Sequence, residues 1–163
     1  MKSLTLSDYE SLAELRFQIR LFLANSERAA RSVGLEPRQH QLMLAIKGLS
    51  KDVQPCIREV AARLHIQHHS AVELVNRLAK AGYVRREIPG QDRRLVLLSL
   101  TPRGERVLKD LSLYHRAELR SAGPVLVEAL RKATQQARLS SNSNGHRGRS
   151  KAAAGKARLG KRR

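Results

Sequence analysis

Cysteine, tryptophan and long apolar runs are nearly or wholly absent from this chain of 163 residues. Its single cysteine, Cys56, cannot form a disulfide within the chain, which is typical of a protein in a reducing compartment. No stretch approaches the roughly 18 consecutive apolar residues of a membrane-spanning helix. Lys2 is not followed by the apolar run of a signal peptide. We therefore expect a cytoplasmic protein that does not enter a membrane.

Acidic residues are also scarce, because 14 Asp and Glu stand against 32 Lys and Arg, giving a formal net charge of +18. Nine of the basic residues, and no acidic residue, lie in residues 138–163. The small polar composition of residues 139–163 predicts a disordered basic tail after a folded domain, residues 1–138. The tail is either an electrostatic arm for DNA or a dispensable extension. The charge as a whole indicates a polyanionic partner, either nucleic acid or an anionic membrane surface.

Catalytic motifs are missing as well. The chain has no recognisable nucleophile motif and no glycine-rich phosphate loop, so we expect neither an enzyme nor a cofactor. His65 and His69 have the i, i+4 spacing of a metal-binding pair, but they straddle a turn and have no neighbouring carboxylate or thiol, so no metal site is expected. Cys56 at a predicted helix start is a candidate oxidant sensor, although no second cysteine is present to resolve it.

Helical periodicity dominates residues 1–137, and one β-hairpin interrupts it. The predicted fold is mainly α, in the order α-α-α-α-β-β-α-α. The first helix carries an apolar stripe formed by Leu12, Leu15, Ile19 and Phe22. The predicted helices lie at about residues 7–31, 36–49, 56–64, 68–80, 102–119 and 124–137, and the strands at 83–88 and 95–100, with the last two helices separated near Gly123–Pro124.

Residues 57–80 predict a helix-turn-helix. One short apolar face contains Ile57, Val60, Ala61 and Leu64, and a second contains Ala71, Leu74, Val75 and Leu78. Small residues such as Ala61 and Ala71 let two short helices cross closely. Because a hairpin follows directly, the pattern predicts a winged helix, a fold that places one helix in the major groove of DNA.

The hairpin supplies a second cationic surface. Arg85 and Arg86 lie at its base, and its turn contains Asp92, Arg93 and Arg94. Arginines on a narrow ribbon can enter a minor groove, where the electrostatic potential is most negative. Asp92 can pair with a neighbouring arginine and order it before DNA arrives.

The segments IREVAARL, HSAVELVNRL, GYVRRE and DRRLVLLSLTPRG resemble the MarR family of winged-helix transcription regulators. The resemblance covers residues 7 to about 137. It implies that Arg94 is the wing arginine held by Asp92, and that the recognition helix begins at His68. It also implies a homodimer formed through residues 7–31 and 103–137.

By the same resemblance, a small aromatic effector would bind near His40, Arg16 and Tyr114 and release the DNA. The chain departs from the common family pattern in the recognition helix, so the base preference cannot be carried over. Glu73 stands where arginine is common, Asn76 where aspartate is frequent, and His68 and His69 replace Pro-Ser.

These observations predict a homodimeric transcriptional regulator, by default a repressor, that binds a pseudo-palindromic operator in double-stranded DNA. The predicted DNA-binding residues are His68, His69, Ser70, Glu73, Asn76, Arg77, Arg85, Arg86, Asp92, Arg93 and Arg94. One alternative is a nucleoid-type architectural protein of low sequence preference, which the net charge favours. Another is a protein-interaction module with a degenerate DNA site, which the acidic Glu73 suggests.

Overall fold

The computed structural model describes residues 4–89 and 95–153. Within these residues the chain forms five helices and two strands, which confirms a mainly helical fold with one hairpin. In chain order they are α1 (Leu6–Ser32), α2 (Pro37–Lys47), α3 (Ile57–Leu64), α4 (His68–Lys80), β1 (Val84–Glu87), β2 (Leu97–Leu100) and α5 (Pro102–Ala153). None of the described helices has the length and apolar character needed to cross a membrane.

The chain divides into two compact units. Leu23–Glu118 form one unit, and the described residues before and after them in the sequence form the other. The first unit contains α2, α3, α4 and the hairpin, and it is the unit that carries the predicted DNA-binding residues. The predicted boundary between a folded domain, residues 1–138, and a disordered tail, residues 139–163, stays a prediction.

The core of the first unit is built by the apolar faces that the sequence predicts. In α4 the buried residues are Ala71, Leu74, Val75 and Leu78, and in α3 they are Ile57, Val60 and Ala61. Leu64 is partly buried and packs against the same cluster, which also contains Leu42 and Met43 of α2 and Leu98 of β2. Since this face of α4 lies in the core, its opposite face points to solvent.

The turn between α3 and α4 depends on the backbone of His65. This residue adopts the left-handed conformation, with φ 51° and ψ 45°, which ends α3. The Ile66 amide then donates to the Ala61 carbonyl at 3.1 Å, in the manner of a helix-ending motif. The left-handed residue reverses the chain within two residues and lets α4 begin at His68.

The hairpin is antiparallel, and its register pairs Val84 with Leu100 and Arg86 with Leu98. Paired residues project from the same face of a hairpin, so Arg86 shares a face with the buried Leu98 and Arg85 lies on the other face. The outer edge of β2 is also paired, because Cys56 forms an antiparallel bridge with Leu97.

The start of α5 is hydrogen-bonded to the turn before β1. The Thr101 hydroxyl accepts from the Gly104 amide at 3.1 Å, as a helix cap does, and donates to the Gly82 carbonyl at 2.6 Å. The Arg103 guanidinium lies over the Tyr83 ring, 4.6 Å from its centroid. A side chain at Gly104 would place its Cβ 2.1 Å from the Tyr83 carbonyl oxygen. The sequence Thr-Pro-Arg-Gly therefore joins the hairpin to α5 by close contact.

The prediction of two helices separated near Gly123–Pro124 is wrong, because α5 passes through Pro124 without a break. The described order is thus α-α-α-α-β-β-α. A proline removes one helical hydrogen bond and usually displaces the preceding residue from the helical region by contact with its Cβ. Gly123 has no Cβ, so the second of these effects is relieved, and the helix continues.

Candidate nucleic-acid interface

The outward face of α4 is polar throughout. His68, His69, Glu73, Asn76 and Arg77 are exposed. Ser70 is half-buried. At 3.6 residues per turn, the row directly opposite the buried Ala71, Val75 and Leu78 is formed by His69, Glu73, Asn76 and Lys80. Six predicted binding residues therefore belong to one short helix whose other side is fixed in the core.

An ion pair lies on this surface. The Arg77 guanidinium and the Glu73 carboxylate are 3.9 Å apart at i, i+4 spacing, and both side chains are 68% exposed. Exposed pairs of this kind contribute little to stability, so both groups are available to an external partner.

Strand β1 contacts α4 through Arg86. Arg86 Nη1 donates to Asn76 Oδ1 at 2.5 Å, which the register of β1 allows because it directs Arg86 toward the helices. Arg85 lies on the other face of the strand, where its guanidinium is 3.9 Å from the Glu87 carboxylate. The structure thus joins Arg86, but not Arg85, to the outward face of α4. Asp92, Arg93 and Arg94 lie outside the described residues.

Sequence reasoning missed two arginines beside α4. A cavity of about 480 Å³ separates α4 from the end of α1 and the start of α2, and Arg31 and Arg38 line it. On the α4 side the cavity is lined by Ser70, Glu73, Leu74 and Arg77. Arg38 follows Pro37 at the first turn of α2, and a basic residue at a helix start was the signal available in the sequence. The same cavity is lined by Glu27 and Glu36, and Arg31 is paired with Glu27 at 3.4 Å, so the surface beside α4 carries charges of both signs.

A larger cavity of about 1000 Å³ lies between the start of α3, the start of α4 and the hairpin. Cys56, His68 and Arg86 are among the residues that line it. Cys56 is only 8% exposed and its backbone belongs to the bridge with Leu97, so the position favours a packing role over an exposed sensor thiol. Among the described residues, no three His, Cys, Asp or Glu side chains are arranged to hold a metal ion.

Two of the three predicted effector residues, His40 and Tyr114, belong to the first unit, and each has its ring against that of His115. His40 is 4% exposed, and its ring stacks on His115 with centroids 5.1 Å apart. Burial, and then the proximity of His115, hold the pKa of His40 below its ordinary value of 6.5. Tyr114 instead lines a cavity of about 440 Å³ with residues that include Arg28 and Asp110. Arg16 belongs to the other unit and is exposed on α1.

Comparisons with known proteins agree on the fold. The family model described as the MarR family matches residues 33–95, which span α2, α3, α4 and β1. No curated protein matches the chain in sequence.

Three solved structures illustrate the similarity. AbsC, a MarR family transcriptional regulator from Streptomyces coelicolor, superposes with a TM-score of 0.67 at 19% identity, covering 91% of this chain and 99% of its own. A MarR family regulator from Rhodococcus sp. RHA1 gives a TM-score of 0.61 at 23% identity, covering 82% and 94%. NadR, solved with 4-hydroxyphenylacetate, gives 0.60 at 20% identity, covering 86% and 96%.

At these identities the solved structures establish a shared fold, and the family model matches the sequence over residues 33–95. The predicted resemblance, which rested on the segments IREVAARL, HSAVELVNRL, GYVRRE and DRRLVLLSLTPRG, is confirmed, and the family match includes the first three of them. The helix-turn-helix of this chain and its first hairpin strand are therefore similar to those of the MarR family.

Proposed function

We propose that the protein is a transcriptional regulator that binds double-stranded DNA as a homodimer. The observation that carries the proposal is the hydrogen bond from Arg86 to Asn76, because it unites the wing strand and the outward face of α4 in one polar surface. A helix with such a face fits the major groove, and cations beside it can neutralise phosphates. Family membership supports a regulator rather than an enzyme.

The predicted residues take different parts in this proposal. His69, Glu73 and Asn76 face the base edges, since they are opposite the buried side of α4. His68, Ser70, Arg77, Arg85 and Arg86 lie around that row and reach phosphates or bases. In the proposal Arg94 is the wing arginine held by Asp92, as the family resemblance implies, and as a cation of a narrow ribbon it enters the minor groove while Arg93 contacts phosphate.

The proposed dimer is supported by apolar side chains that remain exposed when a single chain folds. On α1, Leu12, Phe17, Ile19 and Leu21 are between 41% and 57% exposed. On the later part of α5, Leu119, Val125, Val127 and Leu130 are between 43% and 65% exposed. Two copies would bury these surfaces and present two recognition helices to a pseudo-palindromic site about one helical turn apart. Occlusion of a promoter in the cytoplasm would make the dimer a repressor.

A small aromatic molecule is the proposed effector. NadR was solved with 4-hydroxyphenylacetate, and in this chain the cavity beside Tyr114 is lined by its aromatic ring and by the side chains of Arg28 and Asp110. The effector must bind the DNA-free state more tightly in order to release DNA. Adding 4-hydroxyphenylacetate to the protein–DNA complex and measuring the fraction bound tests this part.

The DNA-binding test compares a fragment upstream of the protein's own coding sequence with a random duplex of equal length by fluorescence anisotropy at several salt concentrations. We expect tighter binding to the specific fragment by about 10³-fold or more, with affinity falling as salt rises. A ratio near one would favour the nucleoid-type alternative, which the net charge of +18 supports. Replacing both Arg86 and Arg77 with alanine should weaken binding, and unchanged binding would favour the interaction module.

A further inference from the structure

Glu73 is the one acidic residue of α4, and it lies in the centre of the outward row. The neighbouring cations on this surface attract the phosphates of DNA, whereas the Glu73 carboxylate is repelled by those phosphates. The fold makes little use of it, because its side chain is 68% exposed and its pair with Arg77 is separated by 3.9 Å. The exposed carboxylate can therefore accept a hydrogen bond from a donor outside the chain.

The major groove offers such donors only at the amino groups of cytosine and adenine. The adenine amino group has the acceptor N7 beside it on the same base, which repels a second carboxylate oxygen. The cytosine amino group has no acceptor beside it on its own base, and the acceptors O6 and N7 of the pair belong to guanine. Glutamate therefore matches cytosine better than adenine.

Arg77 completes the match. Its guanidinium lies next to the Glu73 carboxylate on the same face of α4, so the surface presents an acceptor beside a fork of donors. A C·G pair presents a donor on cytosine beside two acceptors on guanine, in complementary order. Arginine binds guanine O6 and N7 in a bidentate manner more often than it makes any other base-specific contact.

We propose that Glu73 and Arg77 read one C·G base pair in each half of the DNA site, with Glu73 accepting from cytosine N4 and Arg77 donating to guanine O6 and N7. This inference rests on the proposed function, since it requires α4 to enter the major groove. It assigns the base specificity of this chain at that position to Glu73 and Arg77, the two residues of the ion pair.

The test is selection of bound duplexes from a random pool by the full chain and by three variants. The first two are Glu73→Ala and Glu73→Gln. The third, Glu87→Gln, is the matched control, because Glu87 is also exposed and also lies 3.9 Å from an arginine. Circular dichroism verifies that each variant remains folded.

For the wild-type protein we expect an invariant C·G pair at one position of each half-site, with about 5- to 150-fold weaker binding when that pair is changed. Glu73→Ala should reduce this discrimination at that position alone by about fivefold or more, leaving the part that Arg77 supplies through guanine. Glu73→Gln should shift the preference toward A·T, because glutamine matches adenine N6 and N7. Glu87→Gln should raise affinity for all sequences equally and leave the preference unchanged.

The two possible failures are distinguishable. If the wild-type protein enriches no sequence, the proposed specific regulator is wrong and this inference is wrong with it. If the wild-type protein selects a defined site and Glu73→Ala selects the same site with undiminished discrimination at the C·G pair, the regulator stands and the reading of C·G by Glu73 is overturned.

Discussion

Helices α4 and α1 contrast in how their apolar side chains are covered. In α4, Ala71, Val75 and Leu78 are completely buried by the chain itself, and the remaining surface is polar. In α1, Leu12 and Ile19 belong to the apolar stripe predicted from the sequence, yet they are 48% and 41% exposed.

This contrast separates two uses of an amphipathic helix. The buried side of α4 anchors it, and a fixed helix can present a polar face with little loss of conformational entropy on binding. The exposed apolar side chains of α1 are typical of a surface that another protein chain covers. The predictions that follow test both sides of the contrast, in order of decreasing effect.

Leu78→Ala should give the largest loss of stability. The side chain is fully buried in α4, and its truncation leaves a cavity in the core of the first unit. We expect the free energy of unfolding to fall by about 2–5 kcal/mol, as measured by urea denaturation. Lys80→Ala, on the outward face of the same helix, should change it by less than about 0.5 kcal/mol. Equal effects at the two positions would contradict the described orientation of α4.

Gly104→Ala should destabilise the junction between the hairpin and α5. The added Cβ would lie 2.1 Å from the Tyr83 carbonyl oxygen, so the backbone must move. The expected loss is about 1–3 kcal/mol or more in the same urea experiment. Lys109→Ala is the control, because it lies on an exposed part of α5 and creates no such contact. A Gly104→Ala variant as stable as the control would show that α5 can shift away without cost.

Ile19→Glu should weaken the proposed dimer with little effect on the fold of one chain. Twofold symmetry introduces the change on both subunits, and each carboxylate would be desolvated in an apolar interface. We expect at least about a tenfold rise in the dimer dissociation constant, measured by analytical ultracentrifugation. Arg20→Glu, at the neighbouring exposed position, separates this effect from a general change of charge. A dimer that tolerates Ile19→Glu would remove α1 from the interface.

The smallest effect is a pH dependence from His40. Its folded-state pKa is lowered by burial and by His115, so the unfolded chain takes up this proton first as the pH falls. The stability from the neutral ring is complete above the ordinary pKa of 6.5 and is lost as the pH falls from there toward the folded pKa. The slope should not exceed about 1.4 kcal/mol per pH unit. His40→Leu should flatten it, whereas His69→Leu, on the exposed face of α4, should leave it unchanged.

Much of the first unit could be predicted from the sequence because its signals are local. The apolar spacing in α3 and α4 gave the buried residues correctly, and the Gly and Pro residues between 83–88 and 95–100 indicated the hairpin. The LTPRG segment was recognised by resemblance alone. Its physical basis, a close contact between Gly104 and the Tyr83 carbonyl, requires coordinates.

What the sequence could not predict depends on distances across the fold. The hydrogen bond from Arg86 to Asn76 follows from the register of the hairpin, which no local pattern specifies. Arg38 reaches the surroundings of α4 only through the packing of α2. Pro124 was interpreted as a helix breaker because proline usually ends a helix. A preceding glycine has no Cβ to contact the proline ring, so the helix continues through Pro124.

The attachment of Thr101, Arg103 and Gly104 to the turn at Tyr83 has a mechanical consequence. A hinge requires loosely packed residues. This connection instead has a capped helix, a guanidinium stacked on the Tyr83 ring, and a backbone contact at Gly104 that leaves no room for a methyl group. We therefore expect the first turns of α5 and the start of β1 to move together as one rigid body, so that a rotation of that part of the helix also rotates the hairpin.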